Sequence, residues 1–119
     1  MDSKQILEIA AKAAEDKRAD DIVALDMEGL STVTDYFLIM NGGSKRQVQA
    51  ITDEIMDKMA EAGAEVKRVE GRDAGRWVLI DLGDVFVHVF DEDDRTHYNL
   101  EKLWSDAPFG DLSKWIEAL

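Results

Sequence analysis

Residues 75–90 constrain the fold most, because they predict a β-hairpin in a fixed register. The stretch reads GRWVLIDLGDVFVHVF, in which two runs of strand-forming residues flank Gly83 and Asp84. Glycine at the first central position is typical of a two-residue type II′ turn, which sets Leu82 opposite Val85. We therefore expect two antiparallel strands whose side chains alternate between two faces.

The two faces of this predicted hairpin differ in chemistry. One is aliphatic and is expected to lie in the core; it carries Val78, Ile80, Leu82, Val85, Val87 and Val89. The other pairs Trp77 with Phe90, Leu79 with His88 and Asp81 with Phe86. A carboxylate and an imidazole among apolar side chains favour a docking surface over a sealed interior.

The length and composition predict one domain. The chain has 119 residues, 45% of them hydrophobic and 34% charged, and no repeat or linker divides it. We assign the domain to residues 1–108 and a C-terminal tail, with the pattern of a short helix, to residues 109–119. The absence of cysteine excludes disulfides, thiolate zinc sites and cysteine nucleophiles.

The sequence has no apolar run of membrane-spanning length and no pattern of a secretory signal at its N-terminus. We therefore expect a cytoplasmic protein without a membrane partner. Its formal charge of -12, from 26 acidic and 14 basic residues, repels phosphate backbones and disfavours direct nucleic-acid binding. A basic protein is the complementary partner, although the charge could serve solubility alone.

The order of elements predicts a mixed architecture. Helices are expected at residues 3–17, 44–62 and 95–105, and strands at 21–27, 35–40, 64–70 and in the hairpin. Ser44 and Gln47 form a predicted capping box, and Leu100, Leu103 and Trp104 share an apolar stripe expected to be buried. The fold class is thus α/β (α+β), a mixed sheet of about five strands flanked by helices in the order α-β-β-α-β-β-β-α.

Two short motifs have both a functional and a structural interpretation. The turn at residues 42–44, Gly-Gly-Ser before a helix, could cradle an anion, but it lacks the spacing of known phosphate loops and the capping box explains Ser44. The acidic run at residues 91–94 could bind a divalent cation, but it also lies where a helix begins and where negative charge is stabilised. We favour the structural interpretation of both motifs and predict no metal and no cofactor.

The histidine and tryptophan residues also have both a functional and a structural interpretation. His88 and His97 have no nucleophile beside them in a recognisable context, so acid–base catalysis is disfavoured. Trp104 is interpreted as core. Trp77 is compatible with either the core or a surface, because its face also carries Asp81 and His88.

Several ordered blocks of the sequence resemble the ribosomal silencing factor family, also called Iojap-related. They are ALDM at 24–27, STVTDYFLIMNGGSKRQ at 31–47, EGRDAGRWVLIDLGDVFVHVF at 70–90 and RTHYNLEKLW at 95–104. The resemblance covers about residues 3–108. The Met-Asn pair at 40–41 departs slightly from the small-residue turn expected of the family, and the tail lies outside the strongest match.

The resemblance implies a fold similar to a nucleotidyltransferase core without its catalytic machinery. It implies a protein that is not an enzyme, binds the fourteenth protein of the large ribosomal subunit, prevents subunit joining when nutrients are scarce, and forms homodimers in some members. Carried over by position, the partner-binding residues would be Trp77, Leu79, Asp81, His88, Arg95 and Tyr98.

Three functions remain as hypotheses. The first is a ribosomal silencing factor that represses translation in the cytoplasm. The second is a magnesium-dependent nucleotidyltransferase-like enzyme that uses Ser44 and the carboxylates at 91–94, which lie far apart in sequence. The third is a dimerisation module whose hairpin face binds a second copy.

Overall fold

The structure, a computed structural model, describes residues 1–116 and contains six strands and four helices in that range. The strands are β1 (Asp20–Asp26), β2 (Tyr36–Gly42), β3 (Arg68–Glu70), β4 (Trp77–Asp81), β5 (Val85–Asp91) and β6 (Phe109–Gly110). The helices are α1 (Ser3–Asp16), α2 (Lys45–Glu61), α3 (Glu92–Tyr98) and α4 (Leu100–Leu103). The predicted mixture of helices and strands is confirmed.

The strands form one mixed sheet in the order β3-β4-β5-β2-β1-β6. Only the central pair, β2 with β5, is parallel; the other neighbours are antiparallel. The predicted hairpin register is confirmed, because Trp77 lies opposite Phe90 and Asp81 opposite Phe86. Gly83 has a φ of +86°, which the first central position of a type II′ turn requires.

Helices α1 and α2 cover one face of the sheet and form the main core with it. The apolar stripe of α2 is fully buried at Val48, Ile51, Ile55 and Met59, where it meets the aliphatic face of the hairpin. Asp2 and Gln5 form a reciprocal capping box at the start of α1. At α2 the Ser44 hydroxyl accepts from the Gln47 backbone N–H, but the Gln47 amide donates to the Lys17 carbonyl, so only half of the predicted box forms.

The C-terminal part differs most from the prediction. The helical segment begins at Glu92, rather than near Arg95, and Asn99 in the left-handed conformation (φ +45°) divides it into α3 and α4. The prediction that Leu103 is buried is wrong, since its side chain is 70% exposed. The division explains this, because it rotates the second helix away from the stripe that a continuous helix would present.

The tail is part of the sheet. Phe109 and Gly110 form a sixth strand, which sequence analysis did not predict, and pair with β1. Leu112 and Ile116 are buried in the main core. Residues 113–115 form a turn, and the rest of the predicted tail helix lies outside the described residues. No helix within residues 1–116 is long and apolar enough to cross a membrane.

Candidate functional site

Side chains on the sheet face opposite α1 and α2 lie in three cross-strand rows. The first, from β6 to β3, is Phe109, Leu25, Phe37, Phe86, Asp81 and Arg68. The second is Val23, Ile39, His88, Leu79 and Glu70. The third is Asn41, Phe90 and Trp77. Because paired residues point to the same side, four predicted site residues, Trp77, Leu79, Asp81 and His88, share this face.

Helices α3 and α4 cover only one end of this face. Leu100 and Ala107 pack there in a second buried cluster with Leu25, Met27, Ile39 and Phe90. Five neighbouring side chains on β4, β5 and β2 stay partly exposed: Trp77, Leu79, Asp81, Phe86 and Phe37. We call these five residues the uncovered strip. Its four large apolar side chains lie beside one carboxylate, which is the mixed composition that the sequence predicted for a docking surface.

Aromatic contacts hold the strip in shape. Trp77 packs against both Tyr98 and Phe90, with ring centroids 4.5 Å and 5.1 Å away. Phe37 stacks on Phe86 at 6.2 Å. Rings fixed in this way present large contact areas at low cost in conformational entropy, as binding anchors require.

His88 lies beneath the strip rather than on it. Its side chain is 6% exposed, and its Nδ1 accepts a hydrogen bond of 3.1 Å from the indole Nε1–H of Trp77. Burial away from water lowers the pKa of His88 to about 4, so the imidazole is neutral at physiological pH. Its Nε2 is buried and has no hydrogen-bond partner among the described residues.

Asp81 and Tyr98 occupy the margins of the strip. The Asp81 carboxylate accepts from the Gly83 backbone N–H at 2.9 Å and lies 3.4 Å from the Arg68 guanidinium. Its side chain is 15% exposed, so these contacts fix its position and partly neutralise it. Tyr98 of α3 is 46% exposed and extends the aromatic surface next to Trp77.

Arg95 is engaged within the chain. Its side chain is 11% exposed and donates to the Asn41 side chain at 2.9 Å, to Glu101 at 3.1 Å and to the Asp21 carbonyl. These bonds join α3 to the ends of β1 and β2. Arg95 therefore helps to hold α3, the helix that carries Tyr98, against the sheet.

The loop at residues 71–76, which leads into Trp77, is anchored at both ends. Arg72 forms a bidentate pair with Asp53 of α2 at 2.6 and 2.7 Å, which lowers the pKa of the Asp53 carboxyl. Arg76 donates to the buried carboxylate of Asp94 in α3 at 2.8 Å. The position of the indole is thus determined by contacts with both helical layers.

The acidic run at 91–94 and the turn at 42–44 are adjacent in space, although they are distant in sequence. Gly42 pairs with Asp91 across the parallel strands. A cleft of about 800 Å³ opens nearby, lined in part by Asn41, Glu92 and Arg95. However, Asp91 caps α3 by accepting from the Asp94 N–H, and Asp94 pairs with Arg76. Within residues 1–116, no group of three or more His, Cys, Asp or Glu side chains is placed to hold a metal ion.

The six predicted partner-binding residues leave out two members of the strip, Phe37 and Phe86. The predicted hairpin register places Phe86 on the docking face, opposite Asp81, and the structure confirms that pairing. Phe37 joins the strip only because β2 pairs with β5, a long-range contact without a local signal.

Known proteins resemble this chain in both sequence and fold. Residues 1–118 match the family model described as ribosomal silencing factor during starvation. The chain is 63% identical over 112 residues to ribosomal silencing factor RsfS of Bacillus subtilis, covering 94% of this chain and 95% of that relative. It superposes on a crystal structure from Bacillus halodurans with a TM-score of 0.83 at 51% identity, covering 92% and 99% of the two chains. It superposes on one from Chromobacterium violaceum with a TM-score of 0.86 at 37% identity, covering 88% of each chain.

Proposed function

This chain belongs to the ribosomal silencing factor family, and on that premise we propose that it represses translation by binding the large ribosomal subunit through its fourteenth protein. Bound there, the protein would block association with the small subunit. The activity needs no turnover, so the protein would act as a binder in the cytoplasm and not as an enzyme. The family membership is the ground for the partner, and the structure supplies a surface that suits it.

The uncovered strip is the observation that supports this proposal most directly. Large apolar side chains next to one another on a rigid sheet, partly exposed and flanked by charged residues, are typical of a protein interface. Trp77 would be the main anchor, with Leu79 and Phe86 beside it. Buried aromatic anchors commonly contribute about 2 kcal/mol or more to binding.

Charge supports a basic partner. The formal charge of -12 would speed encounter with a positively charged ribosomal protein and would repel bare phosphate. Because Asp81 is already held by Arg68 and Gly83, its carboxylate would add orientation more than net affinity.

The size of the protein is sufficient for steric exclusion. The fold measures 34 × 33 × 28 Å. A rigid body of that size, seated on the joining face of the large subunit, would hold the small subunit away without any conformational change.

Co-sedimentation with isolated large subunits tests this function. We expect the parent protein to pellet with them, and Trp77→Ala and Phe86→Ala to lose most of this binding. Asp81→Lys tests the acidic margin, and Asp57→Lys is its matched control, since it makes the same charge change on the exposed side of α2. In gradient sedimentation of mixed subunits, the parent should reduce the joined particle and Trp77→Ala should not.

Two results would contradict the proposal. If the folded parent fails to bind large subunits, the assigned function is wrong. If it binds and blocks joining but both strip variants act like the parent, the function stands and the site is misplaced.

One observation keeps the enzyme hypothesis as a second candidate: the glycine turn and the acidic run meet beside a cleft. A magnesium-dependent nucleotidyltransferase would need carboxylates free to hold the metal, whereas Asp91 and Asp94 are occupied by the cap and the ion pair. Calorimetric titration with nucleoside triphosphate and Mg²⁺ distinguishes the enzyme hypothesis from the proposed binding function. Tight binding that depends on Mg²⁺ and is lost in Glu92→Gln would favour the enzyme.

We also propose that the protein forms a homodimer through the strip. A second copy would bury the same apolar side chains, so Trp77→Ala should shift the dimer to monomers in size-exclusion chromatography with light scattering. A dimer that persists in Trp77→Ala would place the self-contact elsewhere.

A further inference from the structure

The hydrogen bond between Trp77 and His88 is a diagonal contact across the hairpin. Trp77 pairs with Phe90 and His88 pairs with Leu79, so the two side chains belong to neighbouring rows. The indole Nε1–H nevertheless reaches the imidazole Nδ1 at 3.1 Å. The bond therefore depends on the orientation of the indole and not on the register alone.

The contacts with neighbouring rings leave this orientation open. Tyr98 and Phe90 contact the indole from neighbouring positions and restrict its plane. Contacts with ring faces discriminate poorly between two orientations related by a flip of the indole, because both present similar apolar surface. A hydrogen bond to Nε1 does discriminate, because the flip moves the only donor of the side chain.

The protonation state of His88 follows from the same contact. Because Nδ1 accepts, the proton of the neutral ring is on Nε2. That N–H is buried without a partner among the described residues, which is unfavourable for folding. A leucine at position 88 would fill the same space without a buried, unpaired N–H. Packing alone therefore does not explain why a histidine lies beneath the strip.

We infer that His88 is a positioning residue, which holds the Trp77 indole in the orientation that docks with the ribosomal partner. This inference rests on the proposed function. His88 would contribute by ordering the anchor before binding, so that less conformational freedom is lost on association.

An isosteric pair of variants tests the role. His88→Asn keeps a hydrogen-bond acceptor, because the asparagine side-chain oxygen can take the place of Nδ1. His88→Leu introduces a side chain of similar size to asparagine that has no acceptor. We expect His88→Leu to weaken binding to large subunits about tenfold, and His88→Asn to remain within about twofold of the parent. The Trp77 indole N–H resonance should shift in His88→Leu and remain near its parent position in His88→Asn.

Trp77→Phe provides the internal control, because it keeps an aromatic ring and removes the donor. In that background the two His88 variants should bind equally. If His88→Leu does not fold, the histidine ¹⁵N resonances of the parent decide the point, since the inference requires a neutral ring protonated at Nε2; any other tautomer overturns it.

The outcomes distinguish this inference from the proposed function. If Trp77→Ala loses binding but His88→Leu binds like the parent, His88 does not position the anchor and the docking surface stands. If both His88 variants lose binding equally with the indole resonance unchanged, the inference also fails. If Trp77→Ala itself binds normally, the proposed site fails first.

Discussion

Phe37 and Phe86 stack across the parallel pair of strands at the centre of the sheet, with ring planes only 7° apart. The two residues are distant in sequence and lie directly opposite each other in the register of β2 and β5. The part of the uncovered strip that Phe37 supplies therefore exists only when the long-range strand pairing has formed. A partner that binds the strip would select the folded state and stabilise it.

Gly71→Ala should disrupt the loop before Trp77. A Cβ at this position would lie 2.2 Å from the carbonyl oxygen of Trp77, and the φ of +82° disfavours any side chain. We expect a loss of about 3 kcal/mol or more in the free energy of unfolding, measured by chemical denaturation. Gly63→Ala is the matched control, because its φ is +76° and no atom lies within 4 Å; it should cost about 1 kcal/mol. Equal costs would show that the close approach is unimportant.

Arg95→Ala should act on stability. The change removes a nearly buried guanidinium and leaves Glu101 and the Asn41 side chain without its hydrogen bonds. We expect a loss of about 2–3 kcal/mol in the free energy of unfolding. Arg68→Ala removes a mostly exposed arginine and should cost less than about 1 kcal/mol. If Arg95→Ala unfolds like the parent and only binds less, Arg95 is a direct contact of the partner.

Stability should fall in acid through His88. Its pKa is lowered from 6.5 to about 4 in the folded protein, so on acidification the unfolded chain binds a proton first. The contribution of His88 to the free energy of unfolding is complete above pH 6.5 and is lost as the pH falls toward 4. The loss is up to about 1.4 kcal/mol per pH unit.

Denaturation curves of the parent and His88→Asn across this range give the measurement. The difference in unfolding free energy between the two proteins should change with pH in this window and stay constant above it. A constant difference throughout would mean that His88 titrates normally.

The dependence of binding on salt concentration should distinguish apolar from charged contacts with the large subunit. Leu79→Ala should weaken binding to large subunits about tenfold at every ionic strength, because it removes apolar contact. Asp84→Asn, an exposed change at the hairpin turn, should alter mainly the salt dependence of the association rate. Binding rates at a series of salt concentrations check both. A salt slope that changes with Leu79→Ala but not with Asp84→Asn would contradict this assignment.

Local patterns predicted the parts of the fold that local physics decides. The Gly83 turn fixed the hairpin register, and the periodic stripe of α2 identified the buried side of that helix. Trp77, Leu79 and Asp81 could be grouped on one face because alternation along a strand is a local property.

Long-range contacts decided what the sequence could not predict. The sixth strand is two residues long and exists only because β1 offers a free edge. Asn99 adopts a left-handed conformation that ends α3, and this displaced Leu103 from the expected stripe. From the sequence, Arg95 was expected on the surface. In the structure it donates hydrogen bonds to acceptors on β1 and β2, which are distant in sequence.

The covering of one sheet face by α1 and α2 has a practical consequence for how the protein is handled. Lys12 lies on the outer side of α1 and pairs with Glu8, one turn away. A fluorophore or a sensor-chip linkage at that lysine would point away from the tryptophan side of the molecule. Immobilisation there should leave the uncovered strip accessible, whereas a label near Tyr98 would compete with a partner that binds the strip.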